Sequence, residues 1–176
     1  MSKLDKSTFE KIIKESYQMI YNLGLRLFNY NKQDTEDFVQ DVYLQIYENY
    51  SSYLNKSKIN TWIYSVALNL GLNKIKKSKK LQKTMQTQIH ESIDSSKISD
   101  TQEIEDLPEN LKIKVQEQLI QLPEIYRLPL VLYYYEKLTY KEMSKKLNIP
   151  EGTLKSLVYR GKLILREKLL KIKEHL

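Results

Sequence analysis

The sequence contains no cysteine, and it has only four glycines and four prolines among its 176 residues. The absence of cysteine excludes a disulfide framework, a thiolate nucleophile and a Cys-ligated zinc site. So few glycines and prolines leave little material for the turns of a many-stranded β-protein. Lys, Glu, Leu and Gln, which favour helices, are abundant instead. We therefore expect an all-α protein.

Long apolar runs are missing too. No stretch approaches the roughly 18 residues that a membrane-spanning helix needs. The opening stretch MSKLDKSTFEKIIKE is charged too often for a secretory signal. We therefore expect no membrane insertion and a cytoplasmic location.

The sequence also lacks a recognisable catalytic constellation. It has no Gly-rich phosphate loop and no nucleophile placed beside a base. The two histidines, His90 and His175, fall in a predicted linker and in the tail. We expect a protein that is not an enzyme, that has no cofactor and no metal, and that acts by binding.

Positive charge is what the sequence has in excess. Lys and Arg outnumber Asp and Glu by 29 to 22, for a net charge of +7. A basic surplus of this kind suits a nucleic acid or an anionic membrane surface as partner. The charges come in blocks: residues 49–90 hold eight lysines and no acid, whereas residues 91–109 hold seven acids and one lysine. The acidic, Ser-rich block predicts a flexible linker over 84–107 between two small helical domains, 1–83 and 108–176.

Apolar residues recur at helical spacing in both predicted domains. They predict helices at 7–28, 34–50 and 60–80, and then at 109–121, 124–136, 139–147 and 151–173. Asp34 is expected to cap the second helix. Tyr17 is expected on the buried side of the first.

The stretch LTYKEMSKKLNIPEGTLKSLVYRGK, residues 138–162, is the strongest local signal. Thr139 and Glu142 have the spacing of a capping box, a tight turn follows at 148–150, and a longer basic helix then begins. This is the pattern of a helix-turn-helix, whose second helix lies in the DNA major groove. The alternative is an ordinary helical hairpin with a solvated basic face.

The candidate DNA contacts lie on the outer face of that second helix and at the start of the helix before it. They are Tyr140, Lys141, Thr153, Lys155, Ser156, Tyr159 and Arg160. Arg160 stands out because only four of the 29 basic residues are arginine, and a guanidinium pairs bidentately with guanine. A phosphate contact or a salt bridge with Glu167 is the alternative for Arg160.

Two further motifs lie in the first domain. DTEDFVQDVYLQIYENY, residues 34–50, predicts a helix with an acidic outer face, which either docks on a basic helix or is merely solvated. NTWIYSVALNLGLNKIKKSKK, residues 60–80, predicts an aromatic helix that ends in a lysine row. Rings beside lysines suit single-stranded nucleic acid, in which bases stack on the rings. Trp62 also suits plain core packing, and the two roles are compatible.

These motifs, in this order and at this separation, resemble the bacterial RNA polymerase sigma factors of the extracytoplasmic-function group. The resemblance covers residues 7–82 and 108–172, including LPEIYRLPLVLYYYEKLTYKEM. It implies a protein that binds core RNA polymerase and promoter DNA, assists DNA opening and initiates transcription at specific promoters. An anti-sigma factor is a common partner in this family.

The resemblance also implies roles for individual residues. The β′ clamp helices of polymerase would contact Asp34, Asp37, Gln40 and Asp41, and the C-terminal domain would hold the −35 element and the β flap. The loop 53–60 and the following helix would capture the −10 element, through Trp62, Tyr64, Asn69, Asn73, Lys74, Lys76 and Lys77. The acidic linker would run toward the RNA exit channel and mimic RNA.

The chain departs from the family pattern at several positions. Leu157 stands where the family usually has arginine, which predicts either a lost phosphate contact or an extension of the buried stripe. Leu68 and Asn60 also stand at frequent arginine positions, and Gly161 replaces a common alanine. Two rival functions remain: a stand-alone helix-turn-helix regulator, and an adaptor that does not bind DNA.

Overall fold

The computed structural model describes residues 5–53, 57–77 and 108–174, and every regular element in these ranges is helical. This confirms the predicted all-α class. The chain divides into two compact units, the first of which ends at Lys77. The predicted linker 84–107, the RNA-mimic acids in it and the two domain boundaries lie outside the described residues, so they stay predictions.

Within residues 5–53 and 57–77, the first unit has three α-helices that pack against one another. They are α1 (Lys6–Leu27), α2 (Lys32–Asn49) and α3 (Ile59–Lys77), with a short 3-10 turn at Tyr50–Ser52 after α2. Their largest fully buried side chains are Ile20, Leu23, Leu27, Phe38, Val42, Ile46, Ile63 and Leu72.

Phe38 lies where the three helices meet, and two glycines make room for it. A methyl group added at Gly24 would lie 2.8 Å from Phe38 Cδ1, and one at Gly71 would lie 3.3 Å from Phe38 Cε2. The ring of Phe28 also packs against Phe38, with the two centroids 5.3 Å apart. Close approach of α1 and α3 to this ring therefore depends on the missing side chains.

The helix starts differ from the prediction in one respect. Asn31 caps α2, because its side-chain oxygen accepts from the backbone N–H of Asp34 at 3.2 Å. The prediction of Asp34 as the cap was therefore wrong by one turn.

The prediction for Tyr17 was also wrong, since this side chain is 43 % exposed and its ring stacks on Tyr21 at 5.7 Å.

The described part of the second unit, residues 108–174, has four α-helices, the last of which packs against the other three. They are α4 (Glu109–Ile120), α5 (Glu124–Leu130), α6 (Tyr140–Leu147) and α7 (Glu151–Glu174). The largest fully buried side chains of this unit are Leu128, Leu132, Met143 and Leu154.

One predicted helix, 124–136, is not continuous. It changes after Leu130 into a π-helical turn, Val131–Tyr135, where the N–H of Glu136 donates to the carbonyl oxygen of Val131 at 3.1 Å. Pro129 lies just before the change and has no N–H to donate. The wider turn brings Tyr133 and Tyr134 into the interior, where they are 4 % and 9 % exposed.

The helix-turn-helix geometry agrees with the prediction. The N–H of Thr139 donates to Glu142 Oε2 at 2.8 Å, and the N–H of Glu142 donates to Thr139 Oγ1 at 3.3 Å, which completes the capping box. Asn148 ends α6 in the left-handed region, with φ 59°. The turn then buries Ile149 and leads into α7.

Candidate nucleic-acid and polymerase interface

The outer face of α7 is set by what the helix buries. Leu154, Leu157, Val158 and Gly161 face the core, so the positions half a turn away point outward. All five predicted DNA contacts on α7 are partly exposed, namely Thr153, Lys155, Ser156, Tyr159 and Arg160. Leu163 continues this face and is 42 % exposed. The hydroxyl of Ser156 donates to the carbonyl oxygen of Gly152 at 3.1 Å, which directs it along the helix.

Leu157 belongs to the core, because only 6 % of it is exposed. The structure therefore supports the second of the two predicted readings, in which Leu157 extends the buried stripe. The loss of a phosphate contact at this position stays a prediction. Leu68 on α3 is similar, at 4 % exposed. At both positions an apolar side chain packs where the family often has arginine.

Tyr140 is also largely buried. Its ring is 8 % exposed and stacks on the ring of Tyr133, with centroids 4.8 Å apart and an angle of 21° between the planes. Tertiary packing covers this ring, and the predicted role of Tyr140 at the −35 element stays a prediction. Its neighbour Lys141 is exposed, as a DNA contact requires.

Two lysines of α7 approach the tyrosine rings. Lys155 Nζ lies 5.7 Å from the centroid of Tyr140, and Lys162 Nζ lies 5.8 Å from the centroid of Tyr134. Lys162 was not among the DNA contacts predicted from the sequence. Its spacing of seven residues from Lys155, which returns to the same side of a helix, was the available signal.

The acidic face of α2 is exposed as predicted at Asp34, Asp37 and Gln40. Asp41 differs because its carboxylate forms an ion pair with the ammonium group of Lys74 on α3. The structure thus joins two residues that the sequence predicted for separate interfaces.

Two exposed apolar side chains on α2 were not among the residues predicted for an interface. Leu44 is 57 % exposed and Tyr47 is 50 % exposed. Leu44 lies one turn after Gln40 and Asp41, so it extends their face. Tyr47 lies beside it and meets Phe9 of α1, with ring centroids 5.3 Å apart. An exposed apolar side chain within a charged face could have been found from the helical period alone.

Trp62 stands at the start of α3 within an aromatic cluster. Its ring lies 5.4 Å from that of Tyr53 and 6.5 Å from that of Tyr50, measured between centroids. Tyr53 in turn donates its hydroxyl to the carbonyl oxygen of Ser57 at 2.5 Å. Trp62 remains partly exposed, so its ring packs against the two tyrosines and also forms part of the surface.

One face of α3 carries most of the residues predicted for the −10 element. Asn69 and Asn73 follow Trp62 at seven and eleven residues, spacings that return to the same side of a helix, and both are exposed. Lys76 and Lys77 extend this face toward the helix end. Tyr64 lies on the other side of α3, the side that buries Gly71 and Ile75, so the structure separates it from this group.

The described residues contain no group of three or more His, Cys, Asp or Glu side chains that could hold a metal ion. Among the helices in the described ranges, none is both long and apolar enough to cross a membrane.

Comparisons with known proteins agree with this arrangement. The family model described as Sigma-70 region 2 matches residues 12–81, and the one described as Sigma-70, region 4 matches residues 112–165. The ECF RNA polymerase sigma factor SigW of Bacillus subtilis is 30 % identical over 96 % of this chain and 92 % of its own length. SigM of the same organism is 30 % identical over 85 % of this chain and 90 % of its own length.

A solved structure has a similar fold. It is the sigma factor RpoE of Bartonella quintana in complex with the anti-sigma factor NepR, with a TM-score of 0.53 and 19 % identity. The match covers 92 % of this chain and 96 % of that chain.

A region 2 helical unit followed by a region 4 helix-turn-helix defines an RNA polymerase sigma factor. Because this protein is 30 % identical to SigW over 96 % of the chain, it belongs to the family of ECF RNA polymerase sigma factors. It therefore binds core RNA polymerase and promoter DNA, and it directs promoter-specific transcription initiation.

Proposed function

We propose that this sigma factor divides initiation among three surfaces: α7 holds the −35 element, α3 captures the −10 element, and α2 docks on the β′ clamp helices. The observation that carries the proposal is the alignment of Trp62, Asn69 and Asn73 on one face of α3, beside the aromatic cluster. Bases taken out of the stack need rings to stack on and amides to bond their edges.

On α7, the proposed −35 contacts are the partly exposed polar side chains near its N-terminus. Such a helix enters the major groove with its first turns against the base edges. Arg160 is the proposed base reader because its guanidinium forms two parallel hydrogen bonds with guanine. Lys155 and Lys141 are proposed to contact phosphates, and the same unit is proposed to contact the β flap.

On α2, the proposed clamp-helix contacts are Asp34, Asp37 and Gln40, joined by the exposed Leu44 and Tyr47. A desolvated apolar contact within a polar rim is the usual source of binding energy at such an interface. Asp41 is proposed to contact polymerase only when its ion pair with Lys74 opens.

We further propose a cytoplasmic protein without catalytic residues, which acts by binding alone. An anti-sigma factor is a proposed regulatory partner, in keeping with the RpoE–NepR complex of the structural neighbour. The acidic linker is proposed to lie along the path of nascent RNA. Replacing its acids with serine or glutamine should then alter the pattern of short abortive transcripts.

The experiment that tests the whole proposal is transcription in vitro with core RNA polymerase and a pool of genomic DNA. Sequence-specific start sites that depend on this chain are the expected result. The two rivals predict none: a stand-alone regulator would bind DNA without polymerase, and an adaptor would not show salt-sensitive DNA affinity. Co-purification with core polymerase separates the regulator from the sigma factor.

The α3 surface has its own test. Asn69→Ala is expected to impair promoter opening, seen as loss of permanganate-reactive thymines, while core polymerase still binds. Asn110→Ala, which removes an exposed amide from α4, is the matched control. Normal opening by the Asn69 variant would remove this residue from the −10 site.

The α7 surface is tested through discrimination between promoters. Arg160→Ala should cost about 1–3 kcal/mol at one base pair of the −35 element and little elsewhere. Arg166→Ala, an exposed arginine of the same helix, is the control. An equal loss on all sequences would assign Arg160 to a phosphate instead.

A further inference from the structure

Three tyrosine rings lie in contact beside α7, and we call them the tyrosine ladder. Tyr133 and Tyr140 stack with centroids 4.8 Å apart and planes at 21°, and Tyr134 meets Tyr133 edge-on at 5.0 Å and 86°. All three rings are buried, at 4 %, 8 % and 9 % exposed for Tyr133, Tyr140 and Tyr134. The π-helical turn supplies two of them, and the first residue of α6 supplies the third.

A lysine of α7 covers each end of the ladder. Lys155 Nζ lies 5.7 Å from the Tyr140 centroid, and Lys162 Nζ lies 5.8 Å from the Tyr134 centroid. An ammonium group within about 6 Å of a ring centroid is attracted by the negative face of the ring. Both lysines are only partly exposed, in keeping with stems that lie along the tertiary structure.

The two lysines have a defined spacing. They are seven residues apart, which places them on the same side of α7 and about 10 Å apart along its axis. Their side of the helix is neither the buried stripe nor the outermost face around Ser156 and Tyr159. When the outermost face meets the base edges, a flank of the helix meets the sugar-phosphate backbone.

We propose that the tyrosine ladder positions Lys155 and Lys162 as a two-point clamp on the DNA phosphate backbone. Tyr140 and Tyr134 are then positioning residues that act through the lysines and do not touch DNA. This inference rests on the proposed function, in which α7 lies in the major groove.

The chemistry of the clamp follows from the ammonium group. It has three donors, so it keeps its place over a ring while it donates to a phosphate oxygen. A lysine side chain is otherwise free to adopt many rotamers, and ordering it on binding costs entropy. Rings that order the lysines before DNA binds reduce this entropy cost. The clamp then binds DNA more tightly than two unordered lysines that make the same phosphate contacts.

The test measures the affinity of the full chain for a mixed-sequence duplex as a function of salt concentration. Phosphate contacts are independent of sequence, so the promoter need not be known. Lys155→Gln and Lys162→Gln should each reduce the slope of log affinity against log salt by about 0.9. Tyr140→Leu should weaken binding roughly two- to fivefold, and Tyr140→Phe, which keeps the ring, should restore most of the loss.

Double-mutant cycles separate positioning from ordinary packing. In a chain that already carries Lys155→Gln, Tyr140→Leu should weaken duplex binding little further. In a chain that carries Lys162→Gln, it should weaken binding as much as it does in the wild-type chain. Tyr134→Leu should show the opposite dependence, so each end of the ladder is the control for the other. Additive losses in all four combinations would overturn the clamp and leave the ladder as packing alone.

A measurement on the unmutated protein removes any dependence on folding of the variants. The ε-methylene protons of both lysines should be shifted upfield in the NMR spectrum by the ring currents of Tyr140 and Tyr134, with and without duplex DNA. Unshifted resonances would overturn the proposal. If the wild-type chain shows no salt-dependent duplex binding, the DNA-binding function itself fails; binding with additive cycles overturns only the clamp.

Discussion

The carboxylate of Asp41 on α2 pairs with the ammonium group of Lys74 on α3. The side chains of Lys74 and Asp41 are 35 % and 46 % exposed, so the pair is near the surface and partly screened by solvent. From the sequence, Asp41 was predicted for polymerase and Lys74 for promoter DNA. The pair links the two proposed interfaces of the first unit through one contact.

A double-mutant cycle should detect this contact in the isolated protein. Asp41→Asn and Lys74→Gln are expected to show a coupling of about 0.2–1 kcal/mol in the free energy of unfolding by urea. Asp37→Asn, which removes an exposed charge one turn earlier on α2, should show no coupling with Lys74→Gln. The Asp41 coupling should also fall as salt is added, because ions screen exposed charges. Equal coupling at both aspartates would contradict a specific pair.

Two leucines of α7 differ only in where the fold places them. Leu157 is 6 % exposed and Leu163 is 42 % exposed. Leu157→Ala should lower the free energy of unfolding by about 2–5 kcal/mol, since it leaves a cavity in the core. Leu163→Ala is the matched control and should change it by no more than about 0.5 kcal/mol. Both values come from thermal or urea unfolding followed by circular dichroism.

Replacing Leu157 with arginine, the usual residue of the family at this position, should have a larger effect than Leu157→Ala. Leu157→Arg should unfold or strongly destabilise the second unit, because it places a charge among buried apolar side chains. It is not expected to tighten DNA binding by one phosphate contact. A stable variant with steeper salt dependence of duplex binding would restore the reading of Leu157 as a lost contact.

Two glycines should respond in opposite directions to alanine. A methyl group at Gly24 would lie 2.8 Å from Phe38 Cδ1 and 2.9 Å from Thr35 Cγ2, so Gly24→Ala should destabilise the first unit by about 1–3 kcal/mol. A methyl group at Gly152 would meet no atom within 4 Å. Gly152→Ala should therefore raise the stability of the second unit by up to about 1 kcal/mol, through helix propensity. Calorimetry on the two variants measures both changes.

The capping box of α6 should give the second unit a dependence on acid pH. The hydroxyl of Thr139, and then its backbone N–H, bond to the carboxylate of Glu142 and hold its pKa below the ordinary value of 4.5. A lowered pKa favours the charged form in the folded state, so the stabilisation is present above pH about 4.5 and is lost as pH falls through the lowered pKa.

Glu142→Gln should therefore flatten the fall of unfolding free energy as the pH drops below about 4.5 and through the lowered pKa of Glu142. Thr139→Ala should do the same in part, since its backbone N–H remains. Glu117→Gln, at an exposed position of α4, is the control. A wild-type profile in the Glu142 variant would mean that the capping box does not contribute to the acid dependence.

The local elements of this protein could be predicted from its sequence because their causes are local. The absence of strand and turn residues predicts an all-helical chain, and the helical period of apolar residues predicts most helices. The capping box at Thr139 and the short turn at 148–150 depend on residues a few positions apart. The sequence therefore predicted both features of the helix-turn-helix correctly. The acidic face of α2 and the face of Trp62, Asn69 and Asn73 follow from the same period.

What only the tertiary structure decided is which side chains face one another from different helices. The period places Leu157 near the edge of the buried stripe, and packing of α7 against three other helices buries it. Burial of the Tyr140 ring depends on the π-helical turn after Pro129, which no periodic pattern signals. The Asp41–Lys74 pair likewise joins residues 33 positions apart, and such distant partners are set by the crossing of two helices rather than by any neighbour in the chain.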